Sequence, residues 1–365
     1  MSIHNSKKVI CAMSGGLDSS VAAALLKREG FDVVGVFMKF WSEDGSNSPL
    51  RLNRCCSLDA EVRARKVCKI LGIPFYVFDF SKEFKERIVD YFLESLKRGI
   101  TPNPCVMCNK EVKFGLLLEK ALSLGFDFVA SGHYAKVKKI EYGDLKKHEF
   151  KLFRAKDKEK DQSYFLWRLD QRKLSRILFP IGDFTRKEVE LIAENFKLPV
   201  LGLKKSVELC FVTTGMKDFI KRHLKEKRGK IITKEGKIVG EHKGLWFYTI
   251  GQRKGLEIPG GPYWVLKKDV ENNVLVVTNN VEELLQRELF FHQINLISKD
   301  SVKFPLRVDV KIRYRSDLTK ATVFAFDSKT TQYKVAFEEP QRAITEGQSV
   351  VFFRGEEVVG GGVIC

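Results

Sequence analysis

The sequence Ser14-Gly-Gly-Leu-Asp-Ser19 follows the apolar run Val9–Met13 and precedes a helix-like run from Val21 to Arg28. A strand that ends in two glycines and small hydroxyl residues and then opens a helix is typical of a phosphate site. Glycines let backbone N–H groups approach an anion, the hydroxyls of Ser19 and Ser20 add donors, and the helix directs its positive end at the charge. The segment lacks the Lys-Ser/Thr ending of a Walker A loop and the third glycine of a dinucleotide-binding loop.

The first two hundred residues alternate between predicted strands and helices. After the loop, we predict strands at 33–38, 75–78 and 128–131 and helices at 60–71, 84–97 and 109–122. Because strands separated by such helices form parallel βαβ units, the pattern predicts an α/β domain with a doubly wound parallel sheet over residues 1–215. Ligands of such sheets bind at the carboxyl ends of the strands, where Met38 and the pair Gly132-His133 join the loop.

The pattern changes after about residue 215, where glycines separate short β-like runs and helical periodicity ends. Residues 263–278 are typical of a hairpin that turns at Asn272-Asn273, and alternating strands are predicted at 307–314, 321–326, 333–337, 349–353 and 358–364. We therefore predict two small β-rich domains, a central one over residues 216–295 and a C-terminal β-barrel over residues 296–365.

The composition indicates a polyanion partner. The chain has 365 residues with 64 Lys and Arg against 46 Asp and Glu, which gives a formal net charge of +18. Nucleic acid is the commonest partner of so basic a chain. The apolar run before Ser14 is too short for a signal peptide, and no apolar run approaches the ~18 residues of a membrane span. We expect a cytoplasmic protein without a membrane partner, in which the eight cysteines form no disulfide framework.

Two cysteine motifs could carry chemistry. Cys105 and Cys108 form a C-x-x-C pair in a proline-containing loop that enters a predicted helix, and Cys210 lies in a mostly apolar segment further along. We place Cys108 near the start of that helix, where the helix dipole favours a thiolate. A C-x-x-C pair in an intracellular protein is a redox pair, half of a metal site, or one catalytic thiol with a bystander. Cys11 and Cys68 lie on apolar stretches and are predicted to fill the core.

The motifs occur together in the order found in one family. Besides the phosphate loop, the chain contains Phe37-Met-Lys39, Thr101-Pro-Asn-Pro104, Cys108-Asn-Lys-Glu111, Ser131-Gly-His-Tyr134, Lys160-Asp-Gln-Ser-Tyr-Phe165, Cys210-Phe211, Thr249-Ile-Gly-Gln-Arg-Lys-Gly255, Lys268-Asp-Val-Glu-Asn-Asn273 and Arg313-Tyr-Arg315. With these motifs, over nearly its whole length, the chain resembles the tRNA-specific 2-thiouridylases, which replace O2 of the wobble uridine with sulfur. The resemblance implies a pyrophosphate-loop ATPase domain with the fold of the adenine nucleotide alpha hydrolases. The phosphate loop alone is shared with GMP and argininosuccinate synthetases, whereas the proline–cysteine loop and Gly-Gln-Arg-Lys-Gly are more specific.

The resemblance implies ATP-dependent 2-thiolation of uridine 34 of tRNA, by adenylation of O2 and sulfur transfer from a cysteine persulfide, with release of AMP and pyrophosphate. It implies ATP and Mg²⁺ as cofactors, and tRNA and a persulfide donor protein as partners. The residues implied to bind ATP are Ala12, Met13, Ser14, Gly15, Gly16, Leu17, Asp18, Ser19, Met38 and Gly132. Cys108 is implied as the nucleophile and Cys210 as the persulfide carrier, and the two end the cycle as a disulfide. The residues implied at the target base or the tRNA are Asn103, Pro104, Cys105, His133, Lys160, Asp161, Gln162, Arg313, Tyr314 and Gln348.

The chain departs from the family pattern at Cys105, where many members have an aspartate that is a candidate for proton handling. Three roles for this thiol stay open. It assists a persulfide route, it joins Cys108 and Cys210 as ligands of an iron–sulfur cluster that delivers sulfide, or it is inert.

Two other functions fit parts of the sequence. A ligase or amidotransferase that cleaves ATP to activate a small metabolite needs the phosphate loop, but neither the cysteine loop nor basic β-rich domains. A non-catalytic tRNA-binding protein needs the basic surface, but not an intact phosphate loop. The tRNA thiolation hypothesis accounts for all of these features together.

Overall fold

The structure is a computed structural model that describes residues 6–43, 57–142, 147–202, 209–212, 215–298, 302–327 and 332–365. Helices and strands alternate in its first part, as the sequence pattern predicts. The elements are β1 (Lys8–Met13), α1 (Leu17–Arg28), β2 (Asp32–Lys39), α2 (Leu58–Leu71), β3 (Phe75–Asp79), α3 (Ser81–Phe84), α4 (Asp90–Lys97), α5 (Pro104–Cys108), α6 (Leu117–Ser123), β4 (Phe128–Ser131), β5 (Ala135–Tyr142), β6 (Lys147–Arg154), α7 (Gln171–Leu174), β7 (Ile177–Leu178) and α8 (Arg186–Asn195). Stretches of π-helix at Lys85–Val89 and Asn109–Leu116 join α3 to α4 and α5 to α6.

Five of these strands form a parallel sheet in the order β3-β2-β1-β4-β7. The chain builds outward from β1 through β2 to β3 and then returns to place β4 on the other side of β1. The strand order therefore reverses between β1 and β4, and such a reversal opens a crevice at the carboxyl ends of the two strands. The predicted doubly wound α/β architecture is confirmed, and the phosphate loop follows β1 directly at this crevice.

Helix α1 is held against the sheet by a run of consecutive apolar residues, so that it is buried on nearly every side. Residues 21–26, Val-Ala-Ala-Ala-Leu-Leu, are all essentially inaccessible to solvent and belong to the same core cluster as Val9 and Cys11 of β1. The small alanines let the helix approach the sheet closely, which fixes the start of α1 beside the end of β1. Cys68 lies in the same cluster, so Cys11 and Cys68 fill the core as predicted, and burial raises the pKa of Cys68 to about 11.

The second part of the chain is mostly strand. Its elements are α9 (Met216–His223), β8 (Gly229–Thr233), β9 (Ile238–His242), β10 (Trp264–Asp269), β11 (Val274–Thr278), β12 (Leu285–Leu296), β13 (Leu306–Lys311), β14 (Thr319–Asp327), β15 (Gln332–Arg342), β16 (Ser349–Arg354) and β17 (Glu357–Ile364). A four-stranded sheet has the order β10-β11-β8-β9. Its β10–β11 hairpin turns at Asn272-Asn273 as predicted, with Asn273 at φ 53° and the Asn272 N–H bonded to the Asp269 carboxylate.

The last six strands of the described chain close into a barrel in the order β12-β15-β14-β13-β16-β17, because β17 also pairs with β12. Its interior is filled by a cluster that includes Phe291, Val323, Val335, Val350 and Phe352, all fully buried. The predicted C-terminal β-barrel is therefore confirmed.

Two strand pairings cross the domain limits that the sequence suggests. Strand β12 runs through position 295, and the hairpin β5–β6, from the first part of the chain, extends the barrel sheet by pairing β6 with β17. The limits 1–215, 216–295 and 296–365 stay predictions, but the strands show that the barrel sheet takes residues from both sides of the second limit. No helix among the described residues is both long and apolar enough to cross a membrane.

Candidate active site

A cavity of about 320 Å³ opens at the crevice between β1 and β4. It is lined by residues from three segments that are far apart in sequence, namely the phosphate loop, the proline–cysteine loop and the short segment around Cys210. The lining residues are Ala12, Met13, Ser14, Asp18, Ser19, Met38, Phe40, Phe84, Ile88, Pro104, Cys105, Cys108, Asn109, Lys113, Ser131, Gly132, His133, Gln162, Phe165, Leu209, Cys210 and Phe211. A second depression, of about 670 Å³, lies along Arg253–Tyr263 and is lined by none of the predicted site residues.

The phosphate loop is closed by the side chain of Ser19. Its Oγ accepts a hydrogen bond from the Ser14 backbone N–H at 3.1 Å, lies 3.2 Å from the Ser14 Oγ and donates to the Gly16 carbonyl at 3.2 Å. Gly15 needs its positive φ of 69° and has the Ala60 carbonyl oxygen 2.1 Å from where a Cβ would lie, so only glycine fits. Gly16 caps α1 without offering a side-chain acceptor, which leaves the first N–H groups of the helix to an anion.

Four residues of the loop do not line the cavity, namely Gly15, Gly16, Leu17 and Ser20. Leu17 packs into the core, and the Ser20 hydroxyl is fully buried and donates to the Gly16 carbonyl at 2.7 Å. The expectation that Ser20 supplies a donor to phosphate is therefore wrong for this structure, because its buried hydroxyl already donates to the backbone carbonyl four residues earlier.

Asp18 is the acidic residue of the cavity wall, and it has two partners that the sequence analysis missed. The Tyr134 hydroxyl donates to Asp18 Oδ1 at 3.1 Å, and an Nη of Arg186, at the start of α8, donates to the same oxygen at 2.9 Å. Burial raises the pKa of Asp18, while the Arg186 guanidinium and the Tyr134 hydrogen bond oppose that rise. Tyr134 belongs to the Ser-Gly-His-Tyr motif and could have been found there, whereas Arg186 lies in no motif.

Gly132 brings the end of β4 against the start of α1. A Cβ at this position would lie 2.5 Å from the carbonyl carbon of Asp18 and from the backbone nitrogen of Ser19. Met38, at the end of β2, is also nearly buried and lines the same cavity. The three strand ends and the loop therefore enclose one side of the cavity, and nucleotide binding at this side stays a prediction.

The cysteine loop enters its helix earlier than predicted. Asn103 caps α5 by accepting a hydrogen bond from the Val106 N–H at 3.4 Å, and Pro104 occupies the first turn, so the helix begins at Pro104. Cys105 therefore lies in the first turn, and Cys108 lies at the end of α5 where the π-helical stretch begins. The dipole argument for a Cys108 thiolate is wrong for this reason, since the effect falls off within the first turn and acts on Cys105.

All three predicted reactive cysteines line the one cavity and are present as thiols. Cys108 is buried, while Cys105 and Cys210 are partly exposed. Phe211 anchors the segment next to Cys210 by packing its ring edge-on against Phe92 and Phe219, with centroids 5.6 and 5.5 Å apart. Tertiary packing, and not a local motif, brings Cys210 to the C-x-x-C pair.

A metal cluster does not fit this arrangement. In the part of the chain that the structure describes, no group of three or more His, Cys, Asp or Glu side chains is placed to hold a metal ion. Cys105, Cys108 and Cys210 share a cavity, but as placed here they do not form a ligand set for an iron–sulfur cluster.

His133 and Gln162 are the predicted RNA-contacting residues whose side chains line the cavity beside the cysteine loop. The His133 ring lies between Phe114 and Phe179, with its Nδ1 2.8 Å from the Ser131 Oγ. Burial holds the pKa of His133 well below its usual value, so the imidazole is neutral. Gln162 accepts a hydrogen bond from a backbone N–H through Oε1, at 3.1 Å, which leaves its amide nitrogen for other contacts.

Pro104 and Cys105 line the cavity as well, whereas six other predicted RNA-contacting residues do not, namely Asn103, Lys160, Asp161, Arg313, Tyr314 and Gln348. Asp161 is buried and accepts hydrogen bonds from a neighbouring backbone N–H at 3.0 Å and from the Ser163 hydroxyl at 2.9 Å, so it orders its own turn. Lys160 is partly exposed beside it, and Arg313 is exposed with one Nη bonded to a backbone carbonyl at 2.6 Å. Tyr314 packs on Phe165 of the cavity wall, with ring centroids 4.5 Å apart. Gln348 reaches back to the cysteine loop instead, and its amide donates to the Thr101 carbonyl at 2.8 Å. RNA contact by these residues stays a prediction.

Asn109 and Lys113 also line the cavity and were not singled out from the sequence. The Asn109 amide nitrogen donates to the Phe165 carbonyl at 3.2 Å, whereas its Oδ1 is buried and has no hydrogen-bond partner in the described structure. An unsatisfied buried acceptor costs about 1–3 kcal/mol, so such an atom in a cavity wall indicates a ligand donor. Its position directly after Cys108 is the signal that could have found it.

Three family models match consecutive parts of the chain. They are described as tRNA methyl transferase HUP domain, over residues 7–214, tRNA methyl transferase PRC-barrel domain, over 217–279, and Aminomethyltransferase beta-barrel domain, over 286–364. The chain is 44% identical over 363 residues to a protein named tRNA-specific 2-thiouridylase MnmA from Clostridioides difficile, covering 98% of each chain. Proteins of the same name from Clostridium acetobutylicum and Moorella thermoacetica are each 44% identical, over 98% and 97% of this chain and 99% and 98% of their own.

The descriptions of two matched domains mention methyl transfer, whereas the relatives that match along the whole chain are named as thiouridylases. A match that spans the phosphate loop, the cysteines and both β-rich parts identifies a family better than the description of one domain. The length and identity of these matches show that the chain belongs to the tRNA-specific 2-thiouridylases, a family of transferases.

Proposed function

We propose that the protein replaces O2 of the wobble uridine 34 of tRNA with sulfur, and that it cleaves ATP to AMP and pyrophosphate to do so. The observation that carries the proposal is the shared cavity, in which a phosphate loop faces three thiols. Relatives along the whole chain are named for this activity on tRNA. A ligase acting on a small metabolite would have no use for the thiols at this position.

ATP is needed because the uridine C2 carbonyl is a poor electrophile and its oxygen a poor leaving group. Attack of O2 on the α-phosphate gives an adenylate, whose leaving group is AMP. The N–H groups at the start of α1 and the Ser14 hydroxyl would hold the departing pyrophosphate, with the Ser19 hydroxyl oxygen beside them. The Asp18 carboxylate, with these hydroxyls, offers the hard oxygen donors that Mg²⁺ prefers. Bound there with the phosphates, Mg²⁺ would neutralise charge on the pyrophosphate.

Sulfur transfer needs two thiols. In the persulfide route, the terminal sulfur of a Cys210 persulfide, charged by a donor protein, attacks C2 and displaces AMP. The Cys108 thiolate then attacks the Cys210 Sγ and breaks the bond between that atom and the sulfur on C2. The sulfur stays on C2, and Cys108 and Cys210 form a disulfide. An external dithiol reduces that disulfide and restores both thiols. The persulfide route does not require a third thiol, and we assign Cys105, in the first turn of α5, an assisting role.

The basic surface supports tRNA as the substrate. The six basic residues of one run are all exposed in the structure, and they are Lys221, Arg222, Lys225, Lys227, Arg228 and Lys230. Phosphate contacts of this kind hold the RNA, while the wobble base must leave its stack to enter the cavity. A tRNA substrate is also consistent with a cytoplasmic location.

The test is incubation of the protein with ATP, a persulfide donor and unmodified tRNA, followed by analysis of nucleosides and of AMP. We expect 2-thiouridine and AMP from the wild type and from Cys365→Ser, because Cys365 is exposed at the end of the chain. Cys210→Ser should abolish turnover, Cys108→Ser should block product release, and Cys105→Ser should only slow the reaction. Pyrophosphate release that ignores tRNA would favour a small-molecule ligase, and RNA binding without AMP formation would favour a non-catalytic protein.

Iron content distinguishes the persulfide route from delivery of sulfide by an iron–sulfur cluster. We expect anaerobically purified protein to be colourless, iron-free and active with a persulfide donor. Iron-loaded protein in which Cys105→Ser is as inactive as Cys108→Ser and Cys210→Ser would contradict the persulfide route, because each substitution would then remove a cluster ligand.

A further inference from the structure

Thr101 lies two residues before Asn103, the cap of the cysteine helix, and each of its polar groups contacts another part of the chain. Its backbone N–H donates to the Glu346 carbonyl at 3.0 Å, and its carbonyl accepts from the Gln348 amide at 2.8 Å. Its hydroxyl oxygen lies 3.4 Å from the Lys268 ammonium. The first two bonds come from the barrel and the third from the four-stranded sheet, so both β-rich parts meet at this one residue.

Lys268 is the contact from the four-stranded sheet. It lies on β10, and its ammonium also donates to the Tyr248 carbonyl at 3.3 Å. Burial lowers the pKa of Lys268 to about 8, although the Glu346 carboxylate opposes this shift. Most lysines lie at the surface, whereas Lys268 is half-buried and its ammonium is directed at the loop that precedes the cysteines. Lys267, its neighbour on the same strand, is exposed.

The barrel approaches the cysteine loop closely at Gly347. Gly347 has a φ of 85°, and a Cβ at this position would lie 2.2 Å from the Ile100 side chain and 2.9 Å from the Thr101 carbonyl oxygen. The Gln348 amide contacts a second carbonyl of the loop, that of Pro102, at 3.3 Å. The turn 346–348 is therefore packed directly on residues 100–102.

The few residues that connect Thr101 to the cysteine helix are conformationally restricted. Pro102 and Pro104 restrict the backbone, and Asn103 between them caps the helix that carries Cys105 and Cys108. A displacement of Thr101 therefore moves the start of α5, and with it the first turn that holds Cys105.

We propose that Lys268 is a positioning residue: it fixes Thr101 and thereby places the cysteine helix, so that the four-stranded sheet and the barrel set the thiol geometry together. The part of this inference that concerns catalysis rests on the proposed function. Because neither Lys268 nor Thr101 lines the cavity, loss of their contact should slow sulfur transfer through the cysteine helix and leave the grip on tRNA almost unchanged.

The test compares Lys268→Met and Thr101→Val, alone and together, with Thr101→Ser and Lys267→Met as controls. Thr101→Ser keeps the hydroxyl that Lys268 contacts, and Lys267→Met removes an exposed charge from the same strand. At saturating tRNA, we expect Lys268→Met and Thr101→Val each to slow single-turnover thiolation by roughly 10- to 100-fold, since errors of position near 1 Å have effects of this size. The double variant should be no slower than the slower single variant, because both remove the same contact.

Both controls should react at the wild-type rate, and the Kd for tRNA should change by less than about 3-fold in all variants. Additive effects of Lys268→Met and Thr101→Val would overturn the proposal, because the two residues would then act independently. A loss that appears in tRNA affinity alone would overturn it too, since Lys268 would then be a phosphate contact.

Hydrogen exchange provides a readout that does not depend on activity. In Lys268→Met and Thr101→Val, the amides of Cys105–Cys108 should exchange faster than in the wild type, while the amides of α1 should exchange at the wild-type rate. In the control Lys267→Met, the amides of Cys105–Cys108 should also exchange at the wild-type rate. If the wild type makes no thiolated tRNA, the proposed function fails, and the exchange of these amides still decides the structural claim. Unchanged exchange at Cys105–Cys108 in both variants would refute the positioning role.

Discussion

Gly132→Ala tests the packing that forms the nucleotide side of the cavity. The added Cβ would lie 2.5 Å from two backbone atoms and 2.7 Å from a third, the Asp18 carbonyl oxygen. No flexible side chain can move aside, so β4 and the start of α1 must separate by roughly 1 Å. Both elements belong to the core, since β4 pairs with β1 and α1 packs on the same sheet. Overpacking of this kind costs about 1–3 kcal/mol.

The functional effect should exceed the loss of stability. A displacement near 1 Å at the start of α1 moves the phosphate-binding N–H groups, and errors of this size reduce rates by about 100-fold. We expect Gly132→Ala to lower the melting temperature, to weaken ATP binding at least 10-fold and to slow AMP formation by about 100-fold. The Kd for tRNA should stay within about 2-fold, because we expect the grip on RNA to be spread over many phosphate contacts of basic residues.

The assays are calorimetric ATP titration, thermal unfolding and quantification of AMP. Gly240→Ala is the matched control, because its Cβ would meet the Ile258 side chain at an ordinary 3.7 Å and its φ is not positive. It should bind ATP like the wild type. If Gly132→Ala also bound ATP and unfolded like the wild type, the close contact between β4 and α1 would not define the nucleotide site.

Three further predictions concern ATP, the cavity wall and the RNA. Asp18→Asn should abolish AMP formation while tRNA affinity stays nearly intact, because the proposed adenylation site lies on the parallel sheet and the proposed grip on RNA is spread over many basic residues. An equal loss of tRNA affinity in filter binding would contradict that separation. Asn109→Leu should reduce thiolation at least about 10-fold, since a ligand N–H loses its acceptor, and should lower the free energy of unfolding only by the value of one hydrogen bond, about 1 kcal/mol. If the variant binds ATP and tRNA in titrations as tightly as the wild type, the Asn109 oxygen does not bind a ligand. Affinity for tRNA should fall by about 10³-fold or more between 50 and 200 mM salt if about six phosphates are contacted. An affinity that does not change with salt would contradict the inference from the net charge of +18 that basic residues bind RNA phosphates.

Local features of the site could be predicted because their chemistry depends on neighbouring residues. The phosphate loop needs only a strand, two glycines, small hydroxyl residues and a helix in succession, and residues 9–28 contain them in that order. The alternation of strands and helices predicts the parallel sheet, and the crevice at its strand ends follows from that topology. The start of α5 was misplaced because Pro104 is compatible with a loop and with the first turn of a helix, and the Asn103 cap decides between them.

The sequence by itself determined the class of fold, the phosphate loop and the candidate thiols, because spacing along the chain is enough to specify a turn, a strand or a helix. Only the tertiary structure decided which distant segments meet: Cys210 beside the C-x-x-C pair, Arg186 on Asp18, and the hairpin β5–β6 on the barrel. It also decided that Gln348 and Lys268 hold Thr101. Such contacts join residues far apart in the chain, and they depend on how whole sheets pack against each other, which no local pattern of residues encodes.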